Sequence, residues 1–330
     1  MAHTWKVLSI DGGGIRGILP ATVLSYIEQK TVRPISRLFD LVAGTSTGGI
    51  LALGLTKPNP SAPDSPQYSA SDFLAFYEQQ GHNVFPNSTS LCRLARQLVR
   101  PKYSVRGLEE ALTRYFAGGK LSESLTNVLV TAYDIERRAP FFFKSMKAKS
   151  APSGENLDFR LEDVARSTSA APTYFAPAKV STLNQGTKYA LIDGGVFAGN
   201  PAMCALAEAK KRLVREDDEI LLVSLGTGKC DGPIRYDRAK NWGALQWALP
   251  VLEISLGGSD ATVDYQLQRI LPRDRYFRFQ KKLEVADDAL DNATPANIQN
   301  LKLEASKLVA ANQADLDRLC GLLVEHSQRS

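Results

Sequence analysis

The chain has 330 residues, 44% hydrophobic and 23% charged, which exceeds a small stapled module and matches a soluble globular protein. No apolar run approaches the roughly 18 residues of a membrane span. The net charge of +5 is too diffuse to argue for nucleic acid and suits an anionic membrane surface.

The start, Met1-Ala2-His3-Thr4-Trp5, has no basic segment followed by an apolar one. No signal peptide is visible, so a cytoplasmic location is expected, peripheral at a membrane, with signal-less secretion left open. Lys6 to Ile10 reads as a strand. Asp11-Gly12-Gly13-Gly14-Ile15-Arg16-Gly17 follows, then a helix from Ile18 to Gln29 with Leu19, Val23, Leu24 and Ile27 at helical spacing. Three glycines before a helix expose backbone N–H groups at a partial positive charge, so the loop holds an anion.

Two anions fit. Gly12-x-Gly14-x-x-Gly17 matches the dinucleotide fingerprint, with Asp40 as the acidic ribose ligand of an oxidoreductase. Against it, Asp11 would crowd the pyrophosphate, and Asp40 falls inside its strand pattern instead of at the carboxyl end. The rival is the oxyanion of acyl transfer, met by the N–H groups of Gly12, Gly13 and Gly14, each worth roughly 3 to 4 kcal/mol of barrier.

An apolar run from Leu38 ends in Gly44-Thr45-Ser46-Thr47-Gly48-Gly49, and a small-residue helix follows. Strand, tight turn and helix around Gly-x-Ser-x-Gly describe a nucleophile elbow. Gly44 and Gly48 lack the Cβ atoms that would clash, and Ser46 is pushed into the open. Residues 57–70 read as an exposed loop, and Ser71-Asp72 as the cap of a helix reaching Gln80. Leu91 to Arg100 is a basic amphipathic helix. It is either an ordinary surface helix or one lying on a membrane, the second reading giving a non-catalytic lipid-surface binding protein.

A helix over 103–116, strands over 125–133 and 140–144, and a polar loop over 147–156 come next. The small-residue helix over 161–172 reads as tight packing beneath the elbow. Tyr189 to Gly195 is a strand ending in Asp193-Gly194-Gly195, which puts a carboxylate where α/β sheets carry their sites. Ile220 to Leu225 is an apolar strand, and the Gly226-Thr227-Gly228-Lys229 after it lacks Walker A spacing. Trp242 to Gly257 is apolar and interrupted by Pro250, either core or the border of a lipid entrance. Tyr276 to Phe279 is a short strand, and one helix over 300–323 closes the chain. The four cysteines stand far apart with no histidine near them, which argues against disulfides and zinc.

The alternation of strands and helices predicts a three-layer α/β/α fold with a mainly parallel central sheet, as one domain over 1–330 with its core at about 6–305. Three loops can converge there to supply donors, nucleophile and carboxylate. Ser46, Asp193 and His326 keep the chain order of an α/β-hydrolase triad, but His326 lies in the polar last residues and the elbow comes too early. A dyad is expected instead, with Asp193 close to Ser46, desolvated and raised in pKa.

The blocks Asp11 to Gly17, Gly44 to Gly49 and Asp193 to Gly195 resemble, in order, the three signatures of the patatin-like phospholipases. The resemblance implies a patatin-like fold and a lipid acyl hydrolase of phospholipase A or lysophospholipase type. Ser46 would be the nucleophile, Asp193 the base, and Gly12, Gly13 and Gly14 the oxyanion hole, supported by Arg16, Gly44, Gly48 and Gly194. It implies no cofactor and no metal. The expected partners are a phospholipid or related acyl lipid and a membrane surface, with no nucleic acid. A small-molecule regulator, such as the nucleotide messenger that switches on some members, and the oligomeric state are left open.

Overall fold

The computed structural model of the protein describes residues 3–86, 100–150, 157–184, 186–215, 218–229 and 232–325. Its main strands are β1 (Thr4–Ile10), β2 (Leu41–Thr45), β3 (Asn127–Asp134), β4 (Ala139–Lys144), β5 (Ala178–Ser181), β6 (Lys188–Asp193), β7 (Glu219–Leu225) and β8 (Tyr276–Phe279). They form one sheet in the order β8-β7-β1-β2-β3-β6-β5, with β4 also paired to β3. The pairs β8-β7, β7-β1, β1-β2 and β2-β3 are parallel, and the pairs made by β4, β5 and β6 are antiparallel. The expected α/β sheet is thus mixed and mostly parallel.

Both faces of the central strands are apolar, as a sheet covered on both sides requires. Leu8, Ile10, Val42, Val128, Val130, Leu221 and Val223 join the larger core with α1 (Ile18–Thr31) and α2 (Thr47–Gly54). Val7, Leu41, Ala43, Leu129, Ile220 and Leu222 point to the other side, following the two-residue period of a strand. There they meet Ala202, Ala205, Leu206 and Ala209 of a helix over Ala202–Arg212.

Several local expectations are corrected. Leu38 ends a short helical turn, Ile35–Leu38, after Pro34, so β2 begins only at Leu41. Asp40 precedes β2, and its carboxylate accepts from the Lys6 N–H at 2.7 Å. Residues 58–66 hold a small hairpin, and Ser145–Ser150 is helical. Helix α3 (Ala70–Val84) is capped by Ser69, not Ser71: the Ser69 side chain accepts from Asp72 N–H, and the Asp72 carboxylate accepts from Ser69 N–H. A long helix, Ala244–Ile270, continues past Pro250. The proline removes one hydrogen bond, and the helix packs against residues 195–198 and β8. The closing segment is two helices, Pro295–Ala311 and Gln313–Glu325, because Asn312 ends the first by bonding back to Leu308 and Val309. Most of the expected Leu91 to Arg100 helix, and His326, Cys92 and Cys230, lie outside the described residues.

Candidate active site

The turn after β2 has the backbone of a nucleophile elbow. Ser46 has φ 54° and ψ −122°, a left-handed strained state for a non-glycine residue, and Thr47 opens α2 directly after it. A Cβ on Gly44 would stand 2.1 Å from the Gly48 carbonyl oxygen, and one on Gly48 would stand 2.2 Å from that of Ile10. Only glycine fits either place. The Ser46 N–H donates to Thr168 Oγ1 at 2.8 Å, and the Thr168 hydroxyl donates to the Thr131 carbonyl at 2.7 Å. Sequence reasoning saw this helix only as packing. Thr168, a hydroxyl within a run of small residues, is the part of it that holds the elbow.

Asp193 reaches Ser46 by a route that chain order does not suggest. Strand β2 pairs in parallel with residues 127–131 of β3, and β6 pairs antiparallel with residues 132–134. Since β4 takes the opposite edge over 129–134, β2 and β6 share one edge and meet head to head. The expected position of Asp193 at a strand's carboxyl end holds, but that strand arrives at the rim from outside. A Cβ on Gly194 would lie 2.1 Å from Thr131 Oγ1, so this meeting also needs a glycine. Below it the Thr131 hydroxyl donates to Thr45 Oγ1 at 2.7 Å, and Thr45 donates to the Ala198 carbonyl at 2.6 Å.

Asp193 is 5% exposed, and its Oδ1 accepts from the Gly195 N–H at 2.8 Å. Burial pushes its pKa up to about 7, against the opposing pull of the Gly195 N–H and the Ser46 side chain. No histidine among the described residues lines the cleft.

The glycine loop borders the same cleft. Among the described residues nothing accepts from the N–H groups of Gly13 and Gly14. The Gly12 N–H is different: it donates to the Gly199 carbonyl at 2.9 Å. The first N–H of the expected three is therefore committed to the backbone, and those of Gly13 and Gly14 are left without an acceptor among the described residues. Gly12 instead allows close approach, since a Cβ there would stand 3.3 Å from Ser46 Cβ. Buried Arg16 ties the loop down, donating from its backbone N–H and from Nε to the Gly13 carbonyl at 3.1 and 3.3 Å. Gly14 has φ +57°, and its missing side chain makes room for the Leu290 carbonyl, which accepts from Ile15 N–H. Thr227 packs on Gly13 and donates to the Gly12 carbonyl at 2.7 Å. Neither Leu290 nor Thr227 is marked in the sequence beyond its place in a turn.

A ribose role for Asp40 is excluded by position. Asp40 sits at the amino end of β2 against Lys6, whereas the glycine loop lies at the carboxyl end of β1.

The cleft encloses about 860 Å³, mouth included. Gly12, Gly13, Gly14, Ser46 and Asp193 form its polar end, and Ile15, Ile50, Phe76, Val84, Leu108 and Phe175 are among its apolar walls. Such a space accepts an aliphatic chain with a reactive group at one end. Among the described residues no group of three His, Cys, Asp or Glu can hold a metal ion, and no helix is long and apolar enough to cross a membrane.

A family model described as patatin-like phospholipase matches residues 8–206. Patatin-like protein 2 of Arabidopsis thaliana is 35% identical, covering 92% of this chain and 82% of that protein. Patatin-like protein 1 of the same plant is 31% identical over 92% and 81%. Patatin group J-1 of Solanum tuberosum is 32% identical over 89% and 81%. Among solved structures, VipD from Legionella pneumophila aligns over 94% of this chain and 67% of that chain, with a TM-score of 0.39 and 15% identity.

Proposed function

Because the chain belongs to the patatin-like phospholipase family, and so to the acyl-lipid hydrolases, we propose that it cleaves ester-linked fatty acids from phospholipids or related acyl lipids, acting as a single domain at a membrane surface through a Ser46–Asp193 dyad. What supports this reading is the head-to-head meeting of β2 and β6, with Ser46 and the buried Asp193 at the two strand ends and both lining one apolar cleft.

Ser46 Oγ attacks the ester carbonyl while Asp193 takes its proton. A carboxylate is ordinarily a poor base for a hydroxyl, and burial makes this one stronger. The carbonyl oxygen becomes negative and receives the N–H groups of Gly13 and Gly14. Asp193 then returns the proton to the departing alkoxide, and lysolipid leaves. Water attacks the acyl-enzyme with Asp193 as base again, releasing the fatty acid and restoring both side chains.

Fatty-acid release from phospholipid vesicles, measured with Ser46→Ala beside the unaltered chain, tests this. The variant should release none and should take no fluorophosphonate label. Release near the unaltered rate would overturn the assignment of the nucleophile. Salt-sensitive vesicle binding with no release from either protein would favour a lipid-surface binding protein.

A further inference from the structure

One side chain on the wall of the Ser46 cleft does not match its surroundings. Along α3, Phe76, Gln80 and Val84 stand four residues apart, so they form one stripe, and all three line the cleft. Leu108 and Phe175 line the same space. An amide thus sits in the middle of an apolar wall, on a residue only 5% exposed. The neighbouring Tyr77 hydroxyl is already paired with Thr47 Oγ1.

The Gln80 amide is paired on one side only. Its Oε1 accepts from Nδ2 of Asn83, an exposed residue, at 3.3 Å. Its Nε2 has no acceptor among the described residues. That nitrogen is not sealed inside the protein as Ser169 Oγ is, and the cavity Gln80 lines is the Ser46 cleft. In a wet cleft the amide N–H donates to solvent. A plain aliphatic chain that enters strips this solvent and offers no acceptor, so its binding loses a hydrogen bond. A chain with an oxygen at that depth restores the bond, and a site built this way discriminates against the analogue that lacks the oxygen.

We propose that the cleft is selective for oxygenated fatty acyl chains, with Gln80 Nε2 donating to a hydroxyl, epoxide or keto oxygen carried by the chain. The proposal deepens the hydrolase reading and rests on it. The ester stands at Ser46, and the chain runs along α3 past Tyr77, whose hydroxyl meets the residue after Ser46. Gln80 follows about one turn further on, and Val84 about one turn beyond that. The substituent therefore belongs part-way along the chain, with apolar carbons on both sides of it.

Vesicles containing equal amounts of diricinoleoyl and dioleoyl phosphatidylcholine, whose chains differ by one mid-chain hydroxyl, test this on the full chain. Mass spectrometry of the released acids should show ricinoleate favoured about tenfold in kcat/KM. With hydroxystearoyl isomers the preference should fall when the hydroxyl moves next to the ester or to the methyl end. Gln80→Leu should abolish the preference, releasing oleate faster and ricinoleate more slowly. Gln80→Met, closer in shape, is measured beside it so that the result does not hang on one variant folding. Equilibrium binding of methyl ricinoleate and methyl oleate to Ser46→Ala protein reads the cleft without turnover, and it should show the same preference, lost when Gln80→Leu or Gln80→Met is added. Preferential binding with no release of either acid by the unaltered chain would support the selectivity while overturning the hydrolase reading. Equal binding of the two esters, equal release of the two acids, or a preference unchanged in both Gln80 variants would overturn the proposal.

Discussion

Thr45 and Asp193 pair with consecutive residues, Thr131 and Ala132, along the same edge of β3. One comes from a parallel strand and the other from an antiparallel one, and the next residue after Thr45 is Ser46. Two strands ending against each other bring a hydroxyl and a carboxylate together without either needing a long loop. Precision follows, because a strand edge fixes position better than a flexible connection.

The pH dependence of activity tests the assigned base. With the pKa of Asp193 at about 7, kcat/KM should climb about tenfold per pH unit on the acid side and level off above about pH 7. A profile already flat from pH 5 upward would show that Asp193 is not the titrating base.

The same group makes a prediction about stability. The Asp193 pKa is higher in the fold than in the open chain, from 3.8 to about 7. Below about pH 4 both states hold the proton. Between about 4 and 7 only the folded state keeps it, so this contribution to stability falls as pH rises. Above about 7 the penalty is complete, of order 4 kcal/mol. Asp193→Asn should therefore lose ester hydrolysis yet melt higher than the unaltered protein, with the difference growing from pH 4 to pH 8 in calorimetric scans.

Thr168 is expected to act by holding the backbone at Ser46. Thr168→Val keeps the shape, removes the acceptor for the Ser46 N–H and should lower kcat about 10- to 100-fold with little change in KM. Thr168→Ser should recover most of the loss. Equal effects of both substitutions on folding and rate would make Thr168 a packing residue only.

The glycines should separate into two classes. Gly14→Ala places a Cβ 2.1 Å from the Leu290 carbonyl at φ +57°, so it should destabilise by about 3 kcal/mol or more and cripple the loop. Gly258→Ala meets nothing within 4 Å inside a helix and should stabilise by about 0.5–1 kcal/mol. Urea unfolding reads both.

Arg278→Met should be severe at pH 8, costing about 3–5 kcal/mol, because it strips the bridge from two buried carboxylates. Burial already pushes the Asp11 pKa up to about 7 despite Arg278. Without the guanidinium Asp11 takes up its proton more readily, and the deficit should shrink at pH 5.

The sequence alone carried the local chemistry. Glycines at 44 and 48 around a serine, three glycines before a helix, and Asp193 before two glycines are constraints of backbone sterics, and sterics at that range act between near neighbours. Apolar strands alternating with helices likewise declared a sheet covered on both faces. What only the tertiary structure decided was long-range. The direction of β6 depends on which edge of β3 remains free once β2 and β4 have paired, and nothing near Asp193 encodes that. The loss of Gly12 as a donor depends on the Gly199 carbonyl, 187 residues away. Thr168, Thr227, Leu290 and Arg278 carry no motif, because a hydroxyl, a carbonyl or a guanidinium becomes part of a site only when folding sets another group beside it.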